Sequence, residues 1–563
     1  MRNKKIKIYC KNIEDYREYP MGTNLVDVLA DLKIETGAAV VAVRVNNKME
    51  SLDYELYRPK HVEFVDISSS SGMRVYTRSL IMVFYKAVLQ LFPQAVLRVH
   101  HPISKGYFCK VDERPTDNST RPLVNPSTCQ LIKAEMEKIV AANLPFKRAE
   151  DEAEKVIAMF REKGRDDIVA LLKSLGENYS EYYQLDNVTD YYNGVLTPST
   201  GYLRLFDIIP YYDGVLLRIP NKQDTNRLED IIQQDKMFDV FKEYIRWNKI
   251  TKLENVGDVN RLFKEQPDFT GTLVKVSEAM HEKRIAQMAD AIFYNENPKR
   301  VVLISGPSSS GKTTLSKRLS IQLLALGLRP VTLSLDNYFV EREQTPRDEN
   351  GDYDYETLYS LDLDLFNAQL EDLLAGREVQ TPEYNFMTGT KSFPSGKRLR
   401  LGDDSILIME GIHALNPELT KKIDDTLKFR IYVSALTSVS LDNHNWVPTS
   451  DTRLLRRIIR DARSRGYTAR DTISRWESVR RGEDKWIFPF QENADIMFNS
   501  ALLFELSALK SHAEPILQQV PKNCDEYGEA HRLRKFLRYL TPIVEEEVPR
   551  TSLLREFLGG SSF

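Results

Sequence analysis

The stretch RVVLISGPSSSGKTTLSKRL, residues 300–319, decides the fold of this chain. Residues 300–305 are a short apolar run rich in β-branched side chains, the pattern of a buried strand. Gly306-Pro307-Ser308-Ser309-Ser310-Gly311-Lys312-Thr313 follows at once and completes the pattern G-x4-G-K-[ST]. In such a loop the glycines let the backbone turn so that successive N–H groups point inward at phosphate oxygens. The lysine reaches the β- and γ-phosphates and the threonine hydroxyl holds Mg²⁺. Leu315, Leu319, Leu323 and Leu326 then recur at helical spacing, so a helix N-terminus faces the bound anion. The predicted nucleotide-binding set is Gly306, Ser308, Ser309, Ser310, Gly311, Lys312, Thr313 and Thr314.

Working outward, VTLSLD (331–336) predicts a second strand ending in Asp336, and SILIMEGIHAL (405–415) a third that ends in Glu410-Gly411. FRIYVSA (429–435) and ADIMFNS (494–500) supply further strands, and their alternation with helical segments implies a mainly parallel sheet covered on both faces. Ligands of such sheets sit beyond the carboxyl ends of the strands, which places Asp336 beside the cradle. A carboxylate there suits proton abstraction from an attacking hydroxyl, and Glu410 suits the acid that helps hold Mg²⁺. His413 reads as structural.

DTRLLRRIIRDARSRG (451–466) predicts a helix with Leu454, Leu455, Ile458, Ile459 and Ala462 on one face, closed by Arg465-Gly466. Residues 451–481 hold ten arginines against four acids, and arginine suits bidentate phosphate clamping. The reading is a lid over transferring phosphoryl groups; a solvated basic face for RNA is the alternative.

At 563 residues the chain exceeds what one core serves, and a net charge of −3 gives no general pull toward nucleic acid or anionic membranes. Cys10, Cys109, Cys129 and Cys524 show no metal-ligand spacing, which suits a reducing compartment. No apolar run reaches 18 residues, and the start, MRNKKIKIYCKNIEDY, lacks the apolar region of a secretory signal. The expectation is a cytoplasmic protein without a membrane span. SSSSG (68–72) reads as linker punctuation.

Taken together, GPSSSGKTT, LSLDNYF, GDYDYETLYSLDLDLF (351–366), TPEYNF (381–386), MEGIHALNP (409–417) and the arginine-rich segment resemble the uridine–cytidine kinase and phosphoribulokinase family over about residues 295–510. The resemblance implies phosphoryl transfer from ATP or GTP, with Mg²⁺, to a hydroxyl of a small molecule, foremost the 5′-hydroxyl of a nucleoside. It makes Asp336 the base, Tyr338 and Tyr384 substrate-binding residues, and Arg457, Arg460 and Arg465 the phosphate-gripping arginines beside Lys312. Thr313 and Glu410 are then the metal residues. Two departures stand out. Gly389 occupies the position of the family's base-reading His, and Arg465-Gly466-Tyr467 replaces its R-G-R lid ending. The segment EGIHAL looks closer to phosphoribulokinases, so a sugar-phosphate acceptor is the alternative within the same chemistry.

In the first half, GTNLVDVLADL and AVRVNNKMESLDYEL resemble the TGS domain at the front of threonyl-tRNA synthetases. The likeness continues to about residue 220 through RVYTRSLIMVFYKAVLQLFPQA, NLPFKRAEDEAEKVIAMF and DYYNGVLTPSTGYLRLFDI, which resemble the editing domain of those enzymes. The editing H-x-x-x-H falls on Arg78 and Met82, and the distal Cys and His fall on Tyr192 and Leu196, so no metal-binding or water-activating donor remains.

The fold expected is an α/β P-loop kinase with a parallel sheet, preceded by a β-grasp (TGS-like) module and an α+β synthetase-editing-like domain. The boundaries are 1–67 TGS-like, 68–224 editing-like, 225–290 helical connector, 291–520 kinase-like and 521–563 helical tail. A homo-oligomer is expected, without membrane partners. The reading from another class is an RNA- or ribosome-associated regulator that uses the loop as a nucleotide switch.

Overall fold

In the computed structural model, which describes residues 5–34, 36–113, 122–349 and 351–563, the predicted central strand is Val301–Ser305, and every one of its residues is buried. The first residues of the basic N-terminal start, 1–4, lie outside the described residues. The strand sits in the middle of a five-stranded sheet ordered Arg329–Ser334, Ser405–Glu410, Val301–Ser305, Lys428–Ser434, Ile496–Asn499. All four pairings are parallel. A parallel sheet carries helices on both faces, which is why its inner strands read as unbroken apolar runs. The register sets Ile304 and Ser334 opposite Glu410, so three strands end level at one edge, beside the loop that follows Ser305.

The second strand ends at Ser334, two residues before the predicted end; Asp336 lies in a 3-10 turn, Leu335–Tyr338. The cradle helix, Lys312–Ala325, buries Leu315, Leu319 and Leu323 against the sheet. Outside it runs the connector's longest helix, Pro267–Phe293, tied on by Arg318, which donates to Glu282 at 2.7 Å and Glu278 at 3.3 Å.

The chain before this domain begins with a five-stranded mixed sheet ordered Asp15–Pro20, Lys5–Cys10, His61–Asp66, Val40–Val45, Lys48–Glu50. Only the Lys5–Cys10 pairing with His61–Asp66 is parallel, and the helix Leu25–Leu32 buries Leu25 and Val28. SSSSG is no linker. Ser69 caps the 22-residue helix Ser70–Leu91 by accepting from Gly72 N–H at 3.0 Å, the position serine favours. A Cβ on Gly72 would lie 1.9 Å from Asp66 O, so the two segments are packed hard together. A four-stranded antiparallel sheet (95–103, 106–113, 207–211, 214–218) and a three-stranded one (147–152, 179–185, 188–190) follow. A bulge between Val99 and His101 lets both His100 and His101 reach the Phe108 ring, where regular alternation would part them.

The two halves share one core. Phe160 and Leu171 from the first half, Val259 and Ile285 from the connector, Leu315 beside the cradle, and Leu537 and Leu554 near the C-terminus belong to one apolar cluster. A buried polar tie runs beside it. Arg165 donates to Asp167 at 2.8 Å and Asp190 at 2.7 Å, and Asp190 meets His444 Nδ1 at 2.6 Å. Asn443 N–H donates to Asp167 at 2.9 Å. Such a network is stabilising only when its members are satisfied together, so it fixes how the halves meet.

Candidate functional site

The loop after Val301–Ser305 takes a backbone path that its small residues allow. Ser309 and Gly311 take positive φ (+59° and +90°), and a Cβ on Gly306 would lie 2.1 Å from Val433 O. Lys312 Nζ turns back to donate to Gly306 O at 2.9 Å and Pro307 O at 3.2 Å, and burial lowers its pKa. The Oγ atoms of Ser309 and Ser310 are buried without a partner among the described residues. Thr313 Oγ1 donates to Glu410 at 3.4 Å and Ser334 Oγ to the same oxygen at 2.8 Å. Burial foremost, then the Asp336 carboxylate, push Glu410 up to about 7. Lys312, Glu410 and Asp336 therefore feel one another at the carboxyl edge of the sheet. Oxygen donors from Thr313, Glu410 and Asp336 fit a hard divalent cation, and the orphaned serine hydroxyls with Lys312 fit phosphate.

The arginine helix, Thr449–Ser464, is set deeper than its charge suggests. Arg453 and Arg456 are among the most completely buried large side chains. Arg453 Nε donates to Ser308 O at 2.9 Å and its fork grips the buried Glu483; Arg456 Nη1 donates to Ser309 O at 3.2 Å and its fork grips the buried Glu505. The helix thus buttresses the cradle through Arg453 and Arg456, beside the flank that was read as a lid over the transferring phosphoryl groups. Sequence reasoning missed both roles. The signal is the i, i+3 pair on the flank of an apolar stripe, paired with acids in later segments.

The three arginines singled out by the resemblance lie on the next flank. Arg457 Nη1 donates to Ser308 Oγ at 3.1 Å, and its Nε to Asp461 at 3.3 Å. Arg460 donates to Asp461 at 2.9 Å, and Arg465 Nε lies 3.7 Å from it. One buried carboxylate therefore gathers all three. Burial, then Arg460, lower Arg465 to about 10, and its guanidinium lies over the Phe386 ring.

Of the predicted substrate residues, Tyr338 sits wholly in the core, its hydroxyl donating to Gln369 at 2.7 Å and its ring edge-on to Phe366. Tyr384 is buried against Phe339 and Phe386. Gly389 holds φ +75°, and a Cβ there would lie 2.5 Å from Arg342 Nε, so the arginine fills the space beside it. Arg342 Nη2 donates to Phe386 O at 2.9 Å. Glu356, also unforeseen, is half-buried near Arg457 and Lys312, with its Oε2 buried and unpartnered; burial first raises it to about 7.

In the first half, Met82 and Leu196 are core residues, and Tyr192 is buried beside Asp190. The Arg78 guanidinium lies over Gly194, where a Cβ would come within 2.1 Å, and burial lowers it to about 10. Among the described residues no group of three or more His, Cys, Asp or Glu is placed to hold a metal ion, and no helix is long and apolar enough to cross a membrane.

Sheet, cradle and acidic edge together define a P-loop kinase domain of the small-molecule type. Its family follows from the comparison: residues 301–503 match the model of the Phosphoribulokinase / Uridine kinase family, so this segment is a domain of that family. The uridine kinase of Staphylococcus aureus (strain JH9) is 29% identical over 198 residues, 35% of this chain and 86% of that protein. The first half is similar to threonine–tRNA ligases. That of Desulforamulus reducens is 30% identical over 201 residues, 35% of this chain and 30% of that enzyme. The chain thus spans less than a third of those ligases. A solved structure described as a possible uridine kinase from Bacillus stearothermophilus is 21% identical, covering 38% of this chain and 98% of that one, with a TM-score of 0.28.

Proposed function

We propose that the chain transfers a phosphoryl group from ATP or GTP to a hydroxyl of a small molecule, most simply the 5′-hydroxyl of a nucleoside. The observation that carries this reading is the convergence of Lys312, Asp336 and Glu410 at the carboxyl edge of the sheet, beside an unsatisfied serine cradle. Lys312 and the loop amides bind and orient the phosphates. Asp336 takes the proton from the attacking hydroxyl, and Arg457, Arg460 and Arg465 face the transferring group with positive charge. Mg²⁺, held by Thr313 and Glu410, supplies neutralisation of phosphate charge when bound. Catalysis is then chiefly positioning and electrostatics.

A second acceptor class is supported by Arg342. A guanidinium beside Gly389 suits an anionic group better than a pyrimidine edge, which favours a sugar phosphate. In the first half we read the mixed sheet as a β-grasp, TGS-like module and the following α+β segment as an editing-like scaffold without its deacylase donors. A cytoplasmic homo-oligomer fits this reading.

The test is incubation with Mg²⁺-ATP or Mg²⁺-GTP, a panel of nucleosides and ribulose 5-phosphate, scoring phosphorylated products, with Lys312→Ala as control. Asp336→Asn is expected to lower turnover by roughly 10²- to 10⁴-fold with nucleotide affinity little changed. Near-normal turnover in that variant removes Asp336 as the base. No product from any acceptor overturns the kinase reading.

A further inference from the structure

A cleft of about 620 Å³ opens between the helices Glu505–Gln518 and Tyr527–Leu537, far along the chain from the cradle loop. Lys522, His531, Arg534, Lys535 and Arg538 line it, most of them at the i, i+3, i+4 and i+7 positions of one helical face. Its single acid, Glu514, already lies 3.8 Å from Lys510, and Arg538 is taken by Glu177 at 2.7 Å. Among the described residues Lys522, Arg534 and Lys535 have no ion pair. Burial first, then Lys48, Lys535, Arg534 and Arg538, lower the pKa of His531; Lys535 is lowered by burial, with Arg148 and Arg78 adding to it and the Glu181 and Glu50 carboxylates opposing it. Glu181 and Glu50 face Lys535, but Lys522 and Arg534 have no such carboxylate, so the wall holds positive charge in excess, and a partly dry excess charge is destabilising until an anion arrives. The half-buried His531 ring stacks on the buried Tyr527 ring with centroids 5.8 Å apart at 26°, so an imidazole face lies beside the cations.

We propose that this cleft is a second ligand site, one that binds a nucleoside phosphate with its phosphates on Lys522, Arg534 and Lys535 and its base beside the Tyr527–His531 stack. Arginine and lysine supply the phosphate contacts and the aromatic pair the sequence-blind contact to the base. The test uses full-length Lys312→Ala protein, in which the cradle is crippled, titrated with a fluorescent nucleoside triphosphate and separately with a short single-stranded RNA. One nucleotide per chain is expected, with affinity falling as salt rises and at least tenfold on adding Arg534→Gln and Lys535→Gln. Lys522→Gln, an exposed position that carries no folding burden, is expected to weaken binding as well. Nucleotide binding untouched by these changes overturns the site. So does binding of RNA alone, which would make the face a polyanion surface.

A different observation concerns the cradle itself and rests on its reading as a phosphate site. Glu556, near the C-terminus, accepts from Thr314 N–H at 3.2 Å and from Thr314 Oγ1 at 2.8 Å. Thr314 lies in the first turn of the helix that opens at Lys312, where free N–H groups attract anions. Leu553 lies within 2.4 Å of where a Cβ on Gly311 would be, and the Phe557 ring sits 5.0 Å from the Arg456 guanidinium. Arg463 holds the segment by donating to Glu556 O at 2.9 Å and Phe557 O at 3.2 Å. The geometry points to a C-terminal segment that docks on the cradle as an internal ligand, its Glu556 carboxylate standing where a nucleotide phosphate must sit.

The occupant and the nucleotide then compete. In the Arg534→Gln/Lys535→Gln background, where only the cradle reports, Glu556→Ala is expected to tighten nucleotide binding at least fivefold. Nucleotide is expected to speed proteolytic cleavage within 549–563. Binding unchanged or weakened by Glu556→Ala, while Lys312→Ala still weakens it, overturns the docked-segment proposal alone. Binding indifferent to Lys312→Ala overturns the cradle reading and the proposal with it.

Discussion

Arg456→Met tests whether the arginine helix holds the cradle up. In the folded chain all five N–H groups of Arg456 are engaged: Glu505 takes two, Ser500 O and Oγ take two more at 3.0 and 3.1 Å, and Ser309 O takes part at 3.2 Å. Glu505 is 1% exposed, and without the arginine its remaining partner is Leu502 N–H at 3.2 Å. Removing one partner of a buried pair costs about 3–5 kcal/mol, because a charge is left dry and unmatched. Loss of the contact with the Phe557 ring adds about 0.5–1 kcal/mol. The expected destabilisation is therefore about 3.5–6 kcal/mol. Urea unfolding followed by circular dichroism and tryptophan fluorescence reads it, with the two signals compared because a chain of this size need not unfold in one step.

The double variant Arg456→Met/Glu505→Gln separates charge from packing. The glutamine keeps an acceptor for Leu502 N–H while removing the stranded charge, so at least half of the loss is expected to return. A single variant within about 1 kcal/mol of the parent, or a double variant no more stable than the single, refutes the argument that a buried ion pair anchors Ser309.

Glu356 predicts a pH effect of definite sign. Burial raises it from 4.5 to about 7, so the folded chain keeps a proton that the unfolded chain has released, and stability falls as pH rises from about 4.5 through 7. Glu356→Gln is expected to match the parent near pH 4.5 and to exceed it by about 3 kcal/mol above pH 8, read as the difference in urea midpoints; a gap independent of pH contradicts this. Gly482 lies inside the helix Ala469–Trp486, where alanine normally stabilises, yet a Cβ there would come 2.2 Å from Glu356 Cβ. Gly482→Ala is expected to lower stability by about 1–3 kcal/mol, and a gain in thermal midpoint refutes the close approach.

What the residues disclosed beforehand was local. A strand, a turn of glycines and a helix form from neighbours in sequence, so Val301–Ser305, the loop and Lys312–Ala325 were legible to within a residue or two. The partners that give charge its meaning are distant. Arg453 answers Glu483 thirty residues on and Arg456 answers Glu505 forty-nine on, so a helix that read as a phosphate-clamping lid is in part a buried brace. Thr314 meets Glu556 across 242 residues, and no periodicity in either segment announces it. Gly389 read as a lost side chain, whereas the chain closes the gap with Arg342, brought there because Arg342 N–H donates to Gly389 O at 3.0 Å across the loop. Substitution at one position was thus visible, and compensation from another was not. For the acceptor site this matters most, because what a kinase pocket reads depends on which group fills the space and not on which group left it. Arg342→Ala is the corresponding probe. If the guanidinium reads an anionic acceptor, the variant raises KM for a phosphorylated acceptor at least tenfold while leaving KM for unphosphorylated nucleosides within a few-fold. An equal change for both classes assigns Arg342 to holding the loop alone.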